Sequence, residues 1–296
     1  MGHGLLALLV VLIGLVHILQ VGWYVDDLWQ QAVWGGTTAF AVGLLIYARG
    51  WKPLRSRGRP WRVAAVGPER GRAWTLELEP DGHGGMEFRA GQFVWLTIGP
   101  SPFSVDQHPF SISSSPARTG ALELTIKALG DHTARIGQVE PGTPAFLDGP
   151  YGSFVLDNDA DGVVFIAGGV GITPVMSIIR SLRQRGQRKR IPALLLYGFA
   201  TEASATFLDE LREMAEEPWL ELVPVVEHPA EGYEGERGLM TGDLLDRHLP
   251  EAREGLRYFL CGPEPMMDAV ESHLWTCPGS VDSRTLRLSS PPRVLG

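Results

Sequence analysis

Four glycine-containing segments have the composition that lets backbone amides approach a phosphate-bearing ligand. AGGVGITP, at residues 167–174, follows an apolar run and opens a helical pattern. A helix N-terminus offers unpaired N–H groups and a dipole that favours an anion. The spacing is not G-x-G-x-x-G, so these residues also fit a tight strand-to-helix turn. GDHT (residues 130–133) and GPYGSF (149–154) are two further points of close backbone approach. YFLCGPEPMM (258–267) puts Cys261 at the end of a strand pattern, and ligands of open α/β sheets sit at the carboxyl ends of strands. A different chemistry is offered by His3 and His17, fourteen residues apart in an apolar run. On a helix they project within about 40° of one face and about 21 Å apart along the axis. A histidine inside a membrane span is a functional-site hypothesis by default. The pair fits axial ligands of two stacked haems, or a terminal residue and a hydrogen-bonded helix contact.

The elements that must position these residues fall into three regions. Residues 4–25 carry no charged side chain, and a second apolar stretch runs over about 32–48. About 20 apolar residues cross a bilayer as a helix. Between the stretches lie two acids and no base, whereas Arg49, Lys52, Arg55, Arg57, Arg59 and Arg62 follow the second. That asymmetry predicts two transmembrane helices in residues 1–50, with both ends and all that follows on the cytoplasmic side of a bacterial-type plasma membrane. A secretory signal peptide would need a basic start, a shorter apolar run and a small-residue cleavage site. From Trp61 the pattern turns to short alternating strands separated by Gly/Pro/Asp turns, which predicts an antiparallel β-barrel or sandwich over residues 60–157. From Gly162 apolar strand patterns alternate with helical ones four times, which predicts a parallel sheet covered by helices over 158–275. The basic run at 180–190 reads as a solvated helix end, and residues 276–296 as a divergent, disordered tail.

Composition sets outer limits. Of 296 residues 44% are hydrophobic, enough for sizeable cores, and the net charge of −8 argues against nucleic acid as a partner. Two cysteines, Cys261 and Cys277, exclude a disulfide scaffold.

Taken in order, HPFSISSSP (108–116), IKALGDHT (126–133), DGPYGSF (148–154), AGGVGITPVMS (167–177) and YFLCGPEPMMDAV (258–270) resemble the ferredoxin–NADP reductase superfamily. The HPFS form resembles its ferric reductase and NADPH oxidase branch. The resemblance implies an FAD-binding antiparallel barrel and an α/β domain that presents NADPH or NADH. It implies that His108, Pro109, Phe110 and Ser111 line the flavin, with the Ser111 hydroxyl near the flavin N5, and that Lys127, Gly130 and Thr133 hold the FAD pyrophosphate. Gly168, Gly169, Gly171 and Thr173 would cradle the nicotinamide-nucleotide pyrophosphate. Tyr197 and Gly198 would border its ribose, and Cys261, Gly262 and Pro263 would face the nicotinamide, with Ser111 and Cys261 nearest the transferred hydride. By the same resemblance His3 and His17 are haem b ligands, with partner histidines on helices absent from this sequence, so that it reads as a fragment, a late start, or half of a split protein whose other subunit supplies them. The expected activity is membrane-bound electron transfer from NAD(P)H through FAD to haem and then to oxygen or ferric iron. Two alternatives are a membrane-anchored NAD(P)H:flavin reductase that passes electrons to a separate redox protein without haem, and an inactive fragment. The stretch Phe199-Ala200-Thr201 lacks the arginine that would pair with a 2′-phosphate, leaving NADPH and NADH both open.

Overall fold

The computed structural model describes residues 2–21, 27–104, 106–118, 120–130, 133–157, 160–186, 190–250, 255–276 and 286–289. The apolar N-terminal run forms α1 (Gly2–Val21), and the second forms α2 (Leu28–Ile46). Asp27 and Gln30 cap the start of α2 with reciprocal side-chain-to-backbone contacts. The helix does not stop at the basic residues, where the sequence pattern places a linker. It widens into a π turn (Tyr47–Trp51) and continues as α3 (Lys52–Arg57). Pro53 has no N–H for the carbonyl four residues back, and the wider turn accommodates that loss without ending the helix. Arg49, Lys52, Arg55 and Arg57 therefore stand on a helix. Among the described residues this run, Leu28–Arg57, is the one helix long and apolar enough to cross a membrane, and Leu9–Ile18 is a shorter apolar segment of α1.

Six strands follow: β1 (Trp61–Glu69), β2 (Ala73–Pro80), β3 (Phe93–Ile98), β4 (His108–Ser111), β5 (Leu122–Lys127) and β6 (Pro144–Tyr151). They form one antiparallel sheet in the order β4-β3-β6-β1-β2-β5, and a bridge between Ile112 and Leu124 joins its two edges. Alternate side chains such as Val63, Leu76, Leu78, Val94, Leu96 and Leu124 fill the interior. β6 is the strand that the sequence pattern misses. Pro144, Gly149 and Pro150 read as turn residues, but Ala145, Phe146 and Leu147 are buried between β3 and β1.

The second domain alternates β7 (Gly162–Gly168), α4 (Ile172–Gln184), β8 (Ala193–Phe199), α5 (Leu208–Ala215), β9 (Leu220–Val226), β10 (Glu236–Arg237), α6 (Gly242–His248), β11 (Leu256–Cys261), α7 (Glu264–Thr276) and β12 (Leu286–Ser289). All six strands are parallel, in the order β10-β9-β8-β7-β11-β12. β7, buried at every residue, has a continuous apolar sequence because helices cover both faces. α4 and α5 pack on one face over Phe165 and Phe259, and α6 and α7 on the other over Ile166 and Tyr258. The tail departs from expectation within the described residues: Leu286–Ser289 pairs with β11 along Tyr258–Cys261 and completes the sheet. An unpaired parallel edge is an exposed row of donors and acceptors, which a short strand can satisfy without any helical or apolar signature of its own. The rest of the tail lies outside the described residues.

Arg180 corrects the reading of the basic run as solvated. Its guanidinium donates to the Ser113 carbonyl (2.9 Å) and Glu123 (2.9 Å) of the barrel, and to Glu210 of α5 (2.6 Å). The Ser177 hydroxyl, one turn earlier on α4, donates to the Ser114 carbonyl at 2.7 Å. α4 thus fastens the two domains together.

Candidate functional site

The carboxyl ends of β7 and β11 are neighbours in register, with Ala167 opposite Cys261. The chain turns into a 3-10 turn (Gly169–Gly171) after β7 and toward α7 after β11, so two glycine-bearing turns face each other. They touch backbone to backbone. A Cβ on Gly171 would lie 2.3 Å from the Cys261 carbonyl oxygen, and one on Gly262 would lie 3.1 Å from the Gly168 nitrogen. Gly168 itself abuts Pro263. The structure thus brings Gly168, Gly171, Cys261, Gly262 and Pro263, which the resemblance assigns to one nucleotide site, into one cluster. Gly169 differs: its φ is +53° and nothing lies within 4 Å of its Cβ position, so the turn bulges toward open space there. This open glycine stands just before the N-terminus of α4, where unpaired N–H groups and the helix dipole favour an anion.

Side chains around the turn hold it rather than fill it. Tyr197 of β8 is wholly buried. Its hydroxyl donates to the Thr206 carbonyl at 3.1 Å and lies 3.3 Å from the Gly169 carbonyl. Burial pushes the phenol well above its ordinary pKa. Its neighbour Gly198 pairs with Gly168 at the strand ends. The Thr173 hydroxyl donates to the Val170 carbonyl at 2.7 Å, inside the same turn. Cys261 is 3% exposed and packs in the core on the α4 side, so its thiol lies beneath the surface.

In the barrel, β4 pairs with β3, His108 opposite Leu96 and Ser111 opposite Phe93. All four residues of HPFS are half-buried. Strand alternation puts His108 and Phe110 on one face, with ring centroids 6.5 Å apart, and Pro109 and Ser111 on the other. Lys127 ends β5 opposite Ala73. The Thr133 hydroxyl accepts from the amides of Leu129 (3.0 Å) and Gly130 (3.1 Å), closing the loop that the GDHT motif begins.

A segment overlooked as a connector links the two clusters. Tyr151, at the end of β6, packs its ring 5.9 Å from Phe93, the residue paired with Ser111. Three residues on, Phe154 packs edge-on against Phe259 at 4.9 Å, two residues before Cys261. GPYGSF therefore runs from the HPFS strand to the CGP turn. Tyr151 is also tied to the helical arm. The Lys52 Nζ donates to Asp148 (3.0 Å) and to the Tyr151 hydroxyl (3.1 Å), and that hydroxyl donates to the other Asp148 oxygen (2.8 Å). Burial, and then the bond to Asp148, raise the Tyr151 pKa. Sequence reasoning counted Lys52 with the flanking cations and left Asp148 without a role. No local signal pairs residues about a hundred positions apart.

In the helical arm, the backbone of His3 is in α1, but its side chain lies outside the described residues. His17 is exposed. α2 carries no histidine, and no group of three or more His, Cys, Asp or Glu able to hold a metal occurs among the described residues.

Comparison with known proteins agrees with this division. Residues 79–155 match the family model described as an FAD-binding domain, and residues 165–272 that of the oxidoreductase NAD-binding domain. The chain is 33% identical over 218 residues to the propane 2-monooxygenase reductase component of Mycolicibacterium goodii, an alignment covering 70% of this chain and 61% of the relative. It is 33% identical over 185 residues to the plasma membrane-associated coenzyme Q6 reductase PGA3 of Saccharomyces cerevisiae, covering 61% and 59%. The chain thus spans about 60% of the length of these relatives. Among solved structures, the cytochrome b5 reductase domain of Ulva prolifera nitrate reductase superposes with a TM-score of 0.67 at 18% identity, covering 79% of this chain and 98% of that one. The barrel and the parallel-sheet domain of this chain are therefore an FAD-binding domain and an oxidoreductase NAD-binding domain, in the two-domain fold of that solved reductase domain.

Proposed function

We propose that this chain is a membrane-anchored NAD(P)H-dependent flavoprotein reductase that passes electrons to a separate redox protein. The observation that carries the reading is the path from Ser111 to Cys261, in which the contacts Ser111–Phe93, Phe93–Tyr151 and Phe154–Phe259 are joined by short stretches of chain. In this reading it supports the alignment of flavin and nicotinamide, which hydride transfer needs along with exclusion of water more than acid–base help. Bound FAD would accept a hydride from NAD(P)H and release its two electrons singly.

In this reading His108, Pro109, Phe110 and Ser111 line the flavin and Ser111 offers its hydroxyl to the flavin edge. Lys127, with the Gly130 loop braced by Thr133, neutralises the FAD pyrophosphate. Gly168, Gly169 and Gly171 seat the nucleotide pyrophosphate at the start of α4. Tyr197 and Thr173 position that turn from below. Gly198 borders the ribose, and Gly262 and Pro263, set by the Cys261 backbone, border the nicotinamide. α1 and α2 anchor the chain as two spans, and the cations after α2 keep both domains on the cytoplasmic side. The yeast and mycobacterial relatives, named as a plasma membrane-associated reductase and as a reductase component, support anchorage and a separate acceptor.

A second reading, in which His3 and His17 hold haem b with histidines from another subunit and the acceptor is oxygen or ferric iron, rests on the HPFS strand and the spacing of those histidines. One absorption experiment separates the two. Full-length chain in detergent, given FAD and then NADH or NADPH without oxygen, is expected to show yellow flavin bands that bleach and no haem bands, and to reduce ferricyanide. Haem bands that reduce on adding nucleotide would establish the second reading. Failure to retain FAD or oxidise either nucleotide would overturn both.

A further inference from the structure

A cavity of about 1010 Å³ lies between the end of the helical arm and the barrel, lined by neither the HPFS strand nor the glycine turns after β7 and β11, and bordered at one side by Tyr151. Tyr47, Trp51, Arg55 and Arg59 line it from the arm, at intervals of four residues. The steps from Tyr47 to Trp51 and from Trp51 to Arg55 are each about one helical turn, and Arg59 lies just past the Gly58 end of α3. The wall therefore changes character in one direction, from two aromatic rings to two guanidinium groups. Tyr47 and Trp51 are 52% and 61% exposed, although they are large rings. Arg55 and Arg59 have no ion-pair partner among the described residues. The other cations at the cavity are engaged, Lys52 with Asp148 and Arg118 with Glu77 and Glu123. Of the acids that line it, Asp148 is neutralised by Lys52 and Glu87 is exposed, leaving a net positive surface.

Aromatic rings beside a row of unpaired arginines, at the end of an apolar helix, match an amphiphile whose polar end is an anion. We propose that this cavity binds the headgroup of an anionic phospholipid, its phosphate on Arg55 and Arg59 and its glycerol region against Trp51 and Tyr47. A lipid held there bridges the arm and the barrel and sets the barrel's distance from the bilayer. The proposal rests on the membrane-anchored reading above.

The test uses full-length protein. Flotation with vesicles of pure phosphatidylcholine first checks anchorage alone. Native mass spectrometry from detergent then titrates phosphatidylglycerol against phosphatidylcholine, with FAD saturating. The expected result is preferential retention of phosphatidylglycerol, weakened about fivefold by Arg55→Gln or Arg59→Gln and about 25-fold by both. The double variant should keep wild-type NAD(P)H–ferricyanide turnover, which shows that it is folded. Equal retention of the two lipids, an unaffected double variant, or loss of retention on FAD binding would overturn the proposal while leaving anchorage intact. So would complete competition by millimolar inorganic phosphate, which would make this a free-phosphate site. A chain that floats with no vesicle would overturn the anchored reading itself, and this one with it.

Discussion

The two halves of the site are built from different materials. At the nucleotide side the contact surfaces are backbone, where the turn after β7 meets the turn after β11 with no room for a single added carbon. At the flavin side they are side chains on β4, a four-residue edge strand that is half-buried throughout. Close-packed backbone leaves no slack, so the nucleotide side should fail by unfolding or not at all. A half-exposed strand tolerates exchange of its side chains, so the flavin side should lose chemistry while keeping its fold.

The sharpest way to break that contrast is Gly171→Ala. The new methyl group would stand 2.3 Å from the Cys261 carbonyl, and two strand ends at the centre of the sheet would have to part. We expect a loss of about 3 kcal/mol, read from thermal or urea unfolding, together with loss of NAD(P)H oxidation. Gly169→Ala, two residues away, meets open space and bears only the penalty of its positive φ, about 1 kcal/mol. If the two variants unfold alike, backbone contact is not what holds the nucleotide side.

Next in size is the joint between the halves. Arg180→Gln removes bonds to Ser113, Glu123 and Glu210 at once and leaves Glu123 with Arg118 alone. Charge-assisted bonds of this kind are worth about 2 kcal/mol in sum when half-buried. Unfolding followed by flavin fluorescence and by far-ultraviolet dichroism should then separate into two transitions. Coincident transitions in the variant would show that the joint is held elsewhere.

How much of this could be read in advance follows the same divide. β1, β2 and the four central strands of the parallel sheet, β7, β8, β9 and β11, are legible because period-two alternation or an unbroken apolar run marks them directly. The glycine turns were legible because they demand one residue type. β6 was not, since its prolines and glycine mark turns in isolation and only neighbours on both sides make it a strand. The same holds for β12, whose pairing comes from the exposed edge of β11. Arg180, Lys52 and Asp148 look like surface charges in the sequence. Their partners lie far along the chain, and no local pattern records that. At Tyr197 and Thr173 the resemblance implies contact with the nucleotide, and only the structure shows that both hydroxyls are spent on carbonyls of the turn or beside it.

On the flavin side the expected effects are smaller and of the other kind. Ser111→Ala removes a hydroxyl from a half-buried strand and leaves its pairing with Phe93 intact. Stability should stay within about 0.5 kcal/mol of wild type. Anaerobic stopped-flow reduction by NAD(P)H should slow about tenfold, the equivalent of one hydrogen bond to the reacting group. An equal loss of stability would erase the distinction between the two halves.

The smallest effect lies at the far edge of the parallel sheet and serves as its control. Glu236 is held below the ordinary carboxylate range by its bond from Arg247 and then by His248. A carboxyl whose pKa is lower folded than unfolded stabilises the fold above its unfolded value, about 4.3, and that stability drains away as the pH falls through the folded value. Glu236→Gln should therefore melt slightly below wild type at pH 7, and the two curves should converge below about pH 4. Because the pair is exposed, salt should shrink the difference as well. NAD(P)H turnover should not change, since β10 stands three strands from β7 and the glycine turn that follows it. A change in turnover would mean that the nucleotide side is held by the whole sheet and not by the contact of its two central turns.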